Sequence, residues 1–315
     1  MQKKKTSIKD RIIWITLALI IVYMFILGIP EVIFGSLVTK AFMAAGAPDA
    51  VIFVAEYYIP TVIPFLGILI YLAIFKKNRP ILKTFAYGYG NNNFKNIGLG
   101  LLVGFIMNGI CIMIAILHQD IVLSPSFELS QIPFYIFALF FVFIQSASEE
   151  MWCRGFMYER ANVHYPLWVA MVANAVIFGL LHIFNDGITV QAMIDLIACG
   201  VAFSLARWQA KSIWFASGIH CGWNFTQNFI FGLPNSGLVS QQAIFHLDAA
   251  NARNNIFYDN TFGVEGGIPA IVMEFVLGGI CLYLAYKAGR MGELLESKES
   301  KESKEAYNGG NSIDQ

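Results

Sequence analysis

Charge is scarce in this chain of 315 residues: Asp, Glu, Lys and Arg together make up 13%, and the net charge is zero. That share is about half the usual figure of roughly 25%. So few charges cannot cover a water-soluble surface of this size, which excludes an ordinary cytosolic globule. The zero balance also excludes a nucleic-acid partner held by a basic face. The five cysteines, Cys111, Cys153, Cys199, Cys221 and Cys281, form no C-x-x-C pair and no regular spacing. A disulfide or zinc-finger framework is therefore not expected, and the cysteines read as small buried hydrophobes. What the chain has in abundance is apolar residues, at 57%. The solvent such a composition fits is a lipid bilayer.

A membrane-spanning helix needs about 20 mostly apolar residues. Eight stretches qualify, at residues 12–29, 51–75, 97–117, 133–156, 167–184, 188–208, 212–233 and 268–286. Residues 31–48 are apolar but shorter, and are expected to lie along the membrane surface. The first stretch is too long for a signal-peptide core, and no small-x-small cleavage site follows Ile29, so it reads as an anchor. With the N-terminus in the cytoplasm, 19 of the 21 Lys and Arg fall inside, and only Lys40 and Arg253 fall outside. This bias sets the orientation and favours an even number of spans, which puts both termini inside. The expected fold is an all-α polytopic membrane protein whose helices, about eight, enclose an intramembrane polar cavity. Residues 1–11 form a basic cytoplasmic arm, 12–290 the transmembrane domain with a core at about 145–228, and 291–315 a charged, disordered tail with Ser-Lys-Glu three times in succession. The outside loop at residues 235–265 is long and polar and receives no function.

Polar residues within hydrocarbon are costly, so function is sought among them. The densest group ends the fourth stretch: Gln145-Ser-Ala-Ser-Glu149-Glu150-Met-Trp-Cys-Arg154. Glu150 and Arg154 stand four apart with the acid first, the favourable order for a helical ion pair. Glu149 points about 100° away, toward another helix. The fifth stretch carries Asn174 and Phe178-Gly-Leu-Leu-His182, and the seventh carries His220-Cys-Gly-Trp-Asn224, with both polar side chains on one face. Midway between Glu149 and His182 lies Tyr165-Pro166, a helix breaker, so a hairpin turning there brings the two to one level. Against this, the turn signal Asn185-Asp186-Gly187 follows His182 closely and pulls it toward the outer side unless the turn is recessed. Each motif also has a plainer explanation: a solvated helix end for the acids, a satisfied structural histidine for His182, interhelical glue for His220 and Asn224. Glu56, Asn108, Asp195 and Glu274 are isolated in the spans and expected to be structural, with Asp195 able to orient a histidine.

A carboxylate, two imidazoles and a carboxamide suit amide hydrolysis. A carboxylate helped by a histidine can deprotonate water, and a carboxamide and an imidazole can donate to an oxyanion. A metal version, with Glu149, His182 and His220 holding a divalent ion such as zinc, fits the same residue types. There is no H-E-x-x-H, and the residue set does not separate the two mechanisms.

Glu149-Glu150-x-x-x-Arg154, Phe178-x-x-x-His182 and His220-x-x-x-Asn224 resemble the three signature motifs of the bacterial Abi family, also called CPBP, which includes the type II CAAX prenyl endopeptidases. The resemblance covers about residues 145–228. It implies an eight-helix intramembrane endopeptidase of the bacterial plasma membrane, acting on a membrane peptide or lipidated protein. By position it implies Glu149 and His182 as the water-activating pair, His220 and Asn224 as the oxyanion site, and Glu150, Arg154 and Phe178 as support. Whether a metal takes part, and the oligomeric state, stay open. Two other classes compete: a non-catalytic binding or bacteriocin-immunity protein, and a proton-coupled transporter, which lacks the expected internal repeats.

Overall fold

The computed structural model describes residues 8–240 and 242–301, the side chains of residues 8–25 excepted. It is mostly helical, at 71%. In chain order the helices are α1 (Ile8–Ala44), α2 (Asp49–Tyr57), α3 (Val62–Ile74), α4 (Arg79–Lys83), α5 (Phe94–Leu117), α6 (Ile132–Glu150), α7 (Tyr158–Asn162), α8 (Leu167–Leu181), α9 (Val190–Ala210), α10 (Ile213–Phe225) and α11 (Ile268–Lys287). A two-stranded antiparallel sheet joins β1 (Leu123–Pro125) to β2 (Phe245–Leu247), with Leu123 opposite Leu247.

Six helical segments among the described residues are long and apolar enough to cross a membrane: Ile26–Ala44, Asp49–Ile74, Phe94–Leu117, Leu129–Asn162, Val190–Ala210 and Ile268–Lys287. The other two expected spans form shorter elements. α8 has 15 residues and rises about 22 Å, less than a hydrocarbon core of about 30 Å. α10 has 13 residues, and a π-helical segment, Thr226–Ile230, extends it. The separate surface helix expected after Ile29 does not exist. α1 runs on through Pro30 to Ala44, since a proline inside a helix frees one backbone carbonyl without breaking the rest when there is no water to compete.

Polarity is distributed inside out. Large apolar side chains such as Ile33, Leu102, Phe140 and Phe275 are exposed, while Asn108, Glu150, Arg154, Asn174, His220 and Asn224 are buried. That is the arrangement a bilayer favours, because only the interior of the bundle can satisfy polar groups. Asn108 illustrates it: its amide donates to Gln227 Oε1 at 2.6 Å and ties α5 to the end of α10.

α10 lies across α5 in the most extensive helix contact of the molecule. Gly100 and Gly104 on α5 face Gly218 and Gly222 on α10, two G-x-x-x-G patterns that let the backbones touch. A Cβ on Gly104 would fall 2.1 Å from the Ile219 carbonyl oxygen, and one on Gly222 2.3 Å from that of Leu101. This contact sets the height and rotation of the helix that carries His220 and Asn224.

α6 passes without a break into a π-helical stretch, Met151–Met157, and then α7. The chain reverses before α8, capped by Pro166, at the expected breaker. The tail departs from the expected wholly disordered segment. Met291–Leu295 forms a short 3-10 turn, and the Glu299 amide donates to the Val163 carbonyl at 3.1 Å. Lys298 pairs with Glu159 there. Residues 1–7 of the basic arm and the tail beyond 301 lie outside the described residues.

Candidate active site

The motif carboxylates sit where α6 turns π-helical. Such a segment inserts an extra residue per turn and re-aims the side chains around it, a feature that recurs at functional sites. Glu150 and Arg154 form the expected ion pair at 2.9 Å, both side chains fully buried. The guanidinium lies 4.1 Å over the Phe178 ring and 5.6 Å from that of Phe203. Phe178 thus serves as the apolar face on which the charge is held.

His220 reaches the same carboxylate. Its Nδ1 is 3.0 Å from Glu150 Oε1. That oxygen already accepts from Arg154 and can only accept, so Nδ1 carries the proton and the ring is fixed. Nε2 turns toward Glu149, 3.9 Å from Oε2. The other oxygen of Glu149 accepts from the Gln145 amide at 2.5 Å, and its side chain is 29% exposed, open to the cavity.

His182 caps the C-terminus of α8, half-buried. Its Nδ1 donates to the Phe178 carbonyl at 2.8 Å, which leaves Nε2 as the free ring nitrogen. The Phe178 ring touches both imidazoles, with centroids 4.7 Å from His182 and 6.2 Å from His220. Asn185 and Asp186 of the turn that follows α8 line the same cavity as His182.

Asn224 donates to Gln145 Oε1 at 3.1 Å and accepts from the Asn235 amide at 3.3 Å. One of its two N–H groups remains for a ligand. Asn235 also donates to Glu265, which accepts in addition from the Trp223 indole and from both the amide and hydroxyl of Ser236. A chain of hydrogen bonds therefore runs from Glu265 through Asn235, Asn224 and Gln145 to Glu149. Burial raises the Glu265 carboxyl above its usual range, against the pull of those donors. The loop at residues 235–265 has no periodicity to announce this role. Its acids and amides look like solvated loop residues until the fold brings them inward.

Glu149, His182, His220 and Asn224 all line one cavity of about 590 Å³. Gln145, Asn235 and Glu265 line it with them. Among the described residues Asp195 makes no hydrogen bond to a histidine, contrary to expectation, and both Asp195 and Glu274 line this cavity. Glu56 does not, and is exposed.

Residues 131–226 match the family model of the Rce1-like type II CAAX prenyl endopeptidases. The match covers about a third of the chain, from the start of α6 to the end of α10, and includes all three motifs. No curated protein and no solved structure matches the chain. Rce1-like proteins are a protease family, so the match supports a membrane peptidase. A metal fits this site poorly. Among the described residues no three of His, Cys, Asp and Glu come together as a ligand set. Glu149, His182 and His220 share the cavity, but they do not come together as such a set. The cysteines are free thiols, four of them buried, in line with their reading as small hydrophobes.

Proposed function

We propose that the protein is an intramembrane endopeptidase that hydrolyses a peptide bond of a membrane-associated or lipidated substrate with a water activated by Glu149 and His182. The observation that carries this reading is the shared cavity: a carboxylate, two ring nitrogens and a carboxamide N–H from three helices face one polar space. In the proposed step Glu149 takes a proton from water, with His182 Nε2 accepting the second hydrogen bond of that water. The oxygen attacks the carbonyl carbon. Asn224 Nδ2 donates to the oxyanion that forms, and His220 donates to it from Nε2 as the doubly protonated imidazolium, whose Nδ1–H stays on Glu150. Collapse breaks the C–N bond, and the proton held on Glu149 goes to the leaving amine. Glu150 and Arg154 touch no substrate; they hold the His220 ring.

The residues that line the cavity include Asn185, Ser236, Gly237 and Leu238. The distribution of Lys and Arg puts those loops outside, so the site opens to the non-cytoplasmic face, with both termini inside. α8 and the α10 segment complete eight crossings as short helices in this topology, and the membrane is a bacterial plasma membrane.

The test uses the full chain in lipid nanodiscs with lipid-anchored peptides. Glu149→Ala, His182→Ala and His220→Ala should fold and abolish cleavage. Asn224→Ala should lower kcat by about 10²–10³, the usual effect of one oxyanion donor. Cleavage that persists in a folded Glu149→Ala protein would overturn the assignment. A folded Glu149→Ala protein that binds peptide as the wild type does, with no cleavage by either, would favour the binding or immunity class.

A further inference from the structure

Two acids in the cavity wall have no part in the proposed hydrolysis, and each has a buried oxygen with no hydrogen-bond partner among the described residues. Asp195 on α9 is 4% exposed and Glu274 on α11 is 3% exposed. Asp195 Oδ1 and Glu274 Oε2 are buried and accept no hydrogen bond. Neither residue joins an ion pair among the described residues, yet both line the cavity. α9 and α11 pack side by side, and Asp195 feels the charge of Glu274. Glu265, a third acid in the same wall, is different: Trp223, Asn235 and Ser236 all donate to it.

An ionised carboxylate within a helix bundle is costly unless a cation is paired with it. The protein supplies none here, since no Lys or Arg lines the cavity. Arg154 acts on Glu274 from a distance, but Glu150 holds it at 2.9 Å. A metal ion does not fit, because no set of three ligands is present among the described residues. A proton can neutralise each acid, and the one other source of positive charge is the ligand, which would take the proton's place. Beside the two acids the wall is formed by Leu196, Cys199 and Phe203. An apolar wall ending in carboxylates matches a side chain with an alkyl stem and a cationic head.

We infer that Asp195 and Glu274 form a subsite for one basic side chain, Lys or Arg, of the peptide substrate. The inference rests on the endopeptidase reading and narrows it to peptides that carry a basic residue close to the scissile bond. The head group would pair with both carboxylates while the stem lies along Leu196 and Phe203. Substrates with an acidic residue there would be rejected by like charge.

The test separates binding from cleavage. Short lipid-anchored peptides are made identical except for Lys, Arg, norleucine or Glu at one position, stepped along the peptide. Binding is measured on the full chain with Glu149→Ala in lipid nanodiscs, and cleavage on the wild type. At one position Lys and Arg should bind at least about tenfold more tightly than norleucine, the scale of a desolvated charge pair. Adding Asp195→Asn and Glu274→Gln should abolish that preference and leave norleucine-peptide affinity unchanged. If the doubly substituted protein does not fold, each single substitution should weaken the preference. Equal binding of Lys and norleucine peptides at every position overturns the subsite, as does a preference that survives both substitutions. Cleavage without any basic preference sinks the subsite and spares the peptidase. A carboxylate-dependent preference in binding, with no peptide cleaved, sinks the peptidase and leaves a basic-peptide site.

Discussion

Removing the Glu150 carboxylate should cost the protein a large part of its stability. In Glu150→Ala the Arg154 guanidinium stays where it is, fully buried, and loses its one hydrogen-bond partner. Its Nε and second Nη already have none, so only the faces of Phe178 and Phe203 remain to it. An orphaned buried charge costs about 3–5 kcal/mol. His220 Nδ1–H loses its acceptor in the same step, and an unsatisfied buried donor adds about 1–3 kcal/mol. The expected loss is therefore about 4 kcal/mol or more, against a typical total of about 5–15 kcal/mol. Glu150→Leu combined with Arg154→Leu removes both charges and leaves only the histidine deficit, about 1–3 kcal/mol. The double variant should thus be more stable than Glu150→Ala alone. Reversible unfolding of the full chain in mixed micelles measures both. A single variant within about 1 kcal/mol of wild type, or a double variant less stable than the single, would refute the reasoning.

Three further outcomes are expected. Gly222→Ala should destabilise by about 1–3 kcal/mol and lower kcat/KM, because its Cβ would sit 2.3 Å from the Leu101 carbonyl oxygen and lift His220 and Asn224 out of place. Gly109→Ala, on the same helix as Leu101 but in open space, should be neutral or stabilising, and equal losses from both would remove the close-contact argument. Burial raises the Glu265 carboxyl above its ordinary value of 4.5, so the folded state holds that proton more tightly than the unfolded one. Its contribution is fully present below about 4.5 and is lost as pH rises through the raised folded value. The stability of wild type relative to Glu265→Gln should accordingly fall over that window and then level off, and a gap that widens with pH would contradict the sign. Treatment with a strong chelator should leave peptide cleavage unchanged; activity lost to the chelator and restored by zinc would show that the three-ligand set does assemble.

Much of this molecule is set by local arithmetic along the chain. Six of the eight expected apolar runs fall in helical segments long enough to span a membrane. An acid four residues before an arginine makes a helical pair, as Glu150 and Arg154 do. Tyr165-Pro166 ends one helix and starts another. His220 and Asn224 share a face because four residues are close to one helical turn. These features need only the helix geometry, so the sequence alone determines them.

The cross-helix relations need the fold. A helix that is apolar on every side carries no stripe to say which face turns inward. The sequence therefore does not say that Asp195 and Glu274 meet in one cavity, or that the Glu150 carboxylate takes His220, 70 residues away, as well as Arg154. It does not distinguish α8, whose 15 residues end at His182, from a full crossing. Nor does it reveal that Asn235 and Glu265 fold inward from a polar loop to hold Asn224. Rotation about each helix axis, and the depth at which each helix stops, follow from contacts such as the paired glycines of α5 and α10. Those contacts exist only once all the helices are packed together.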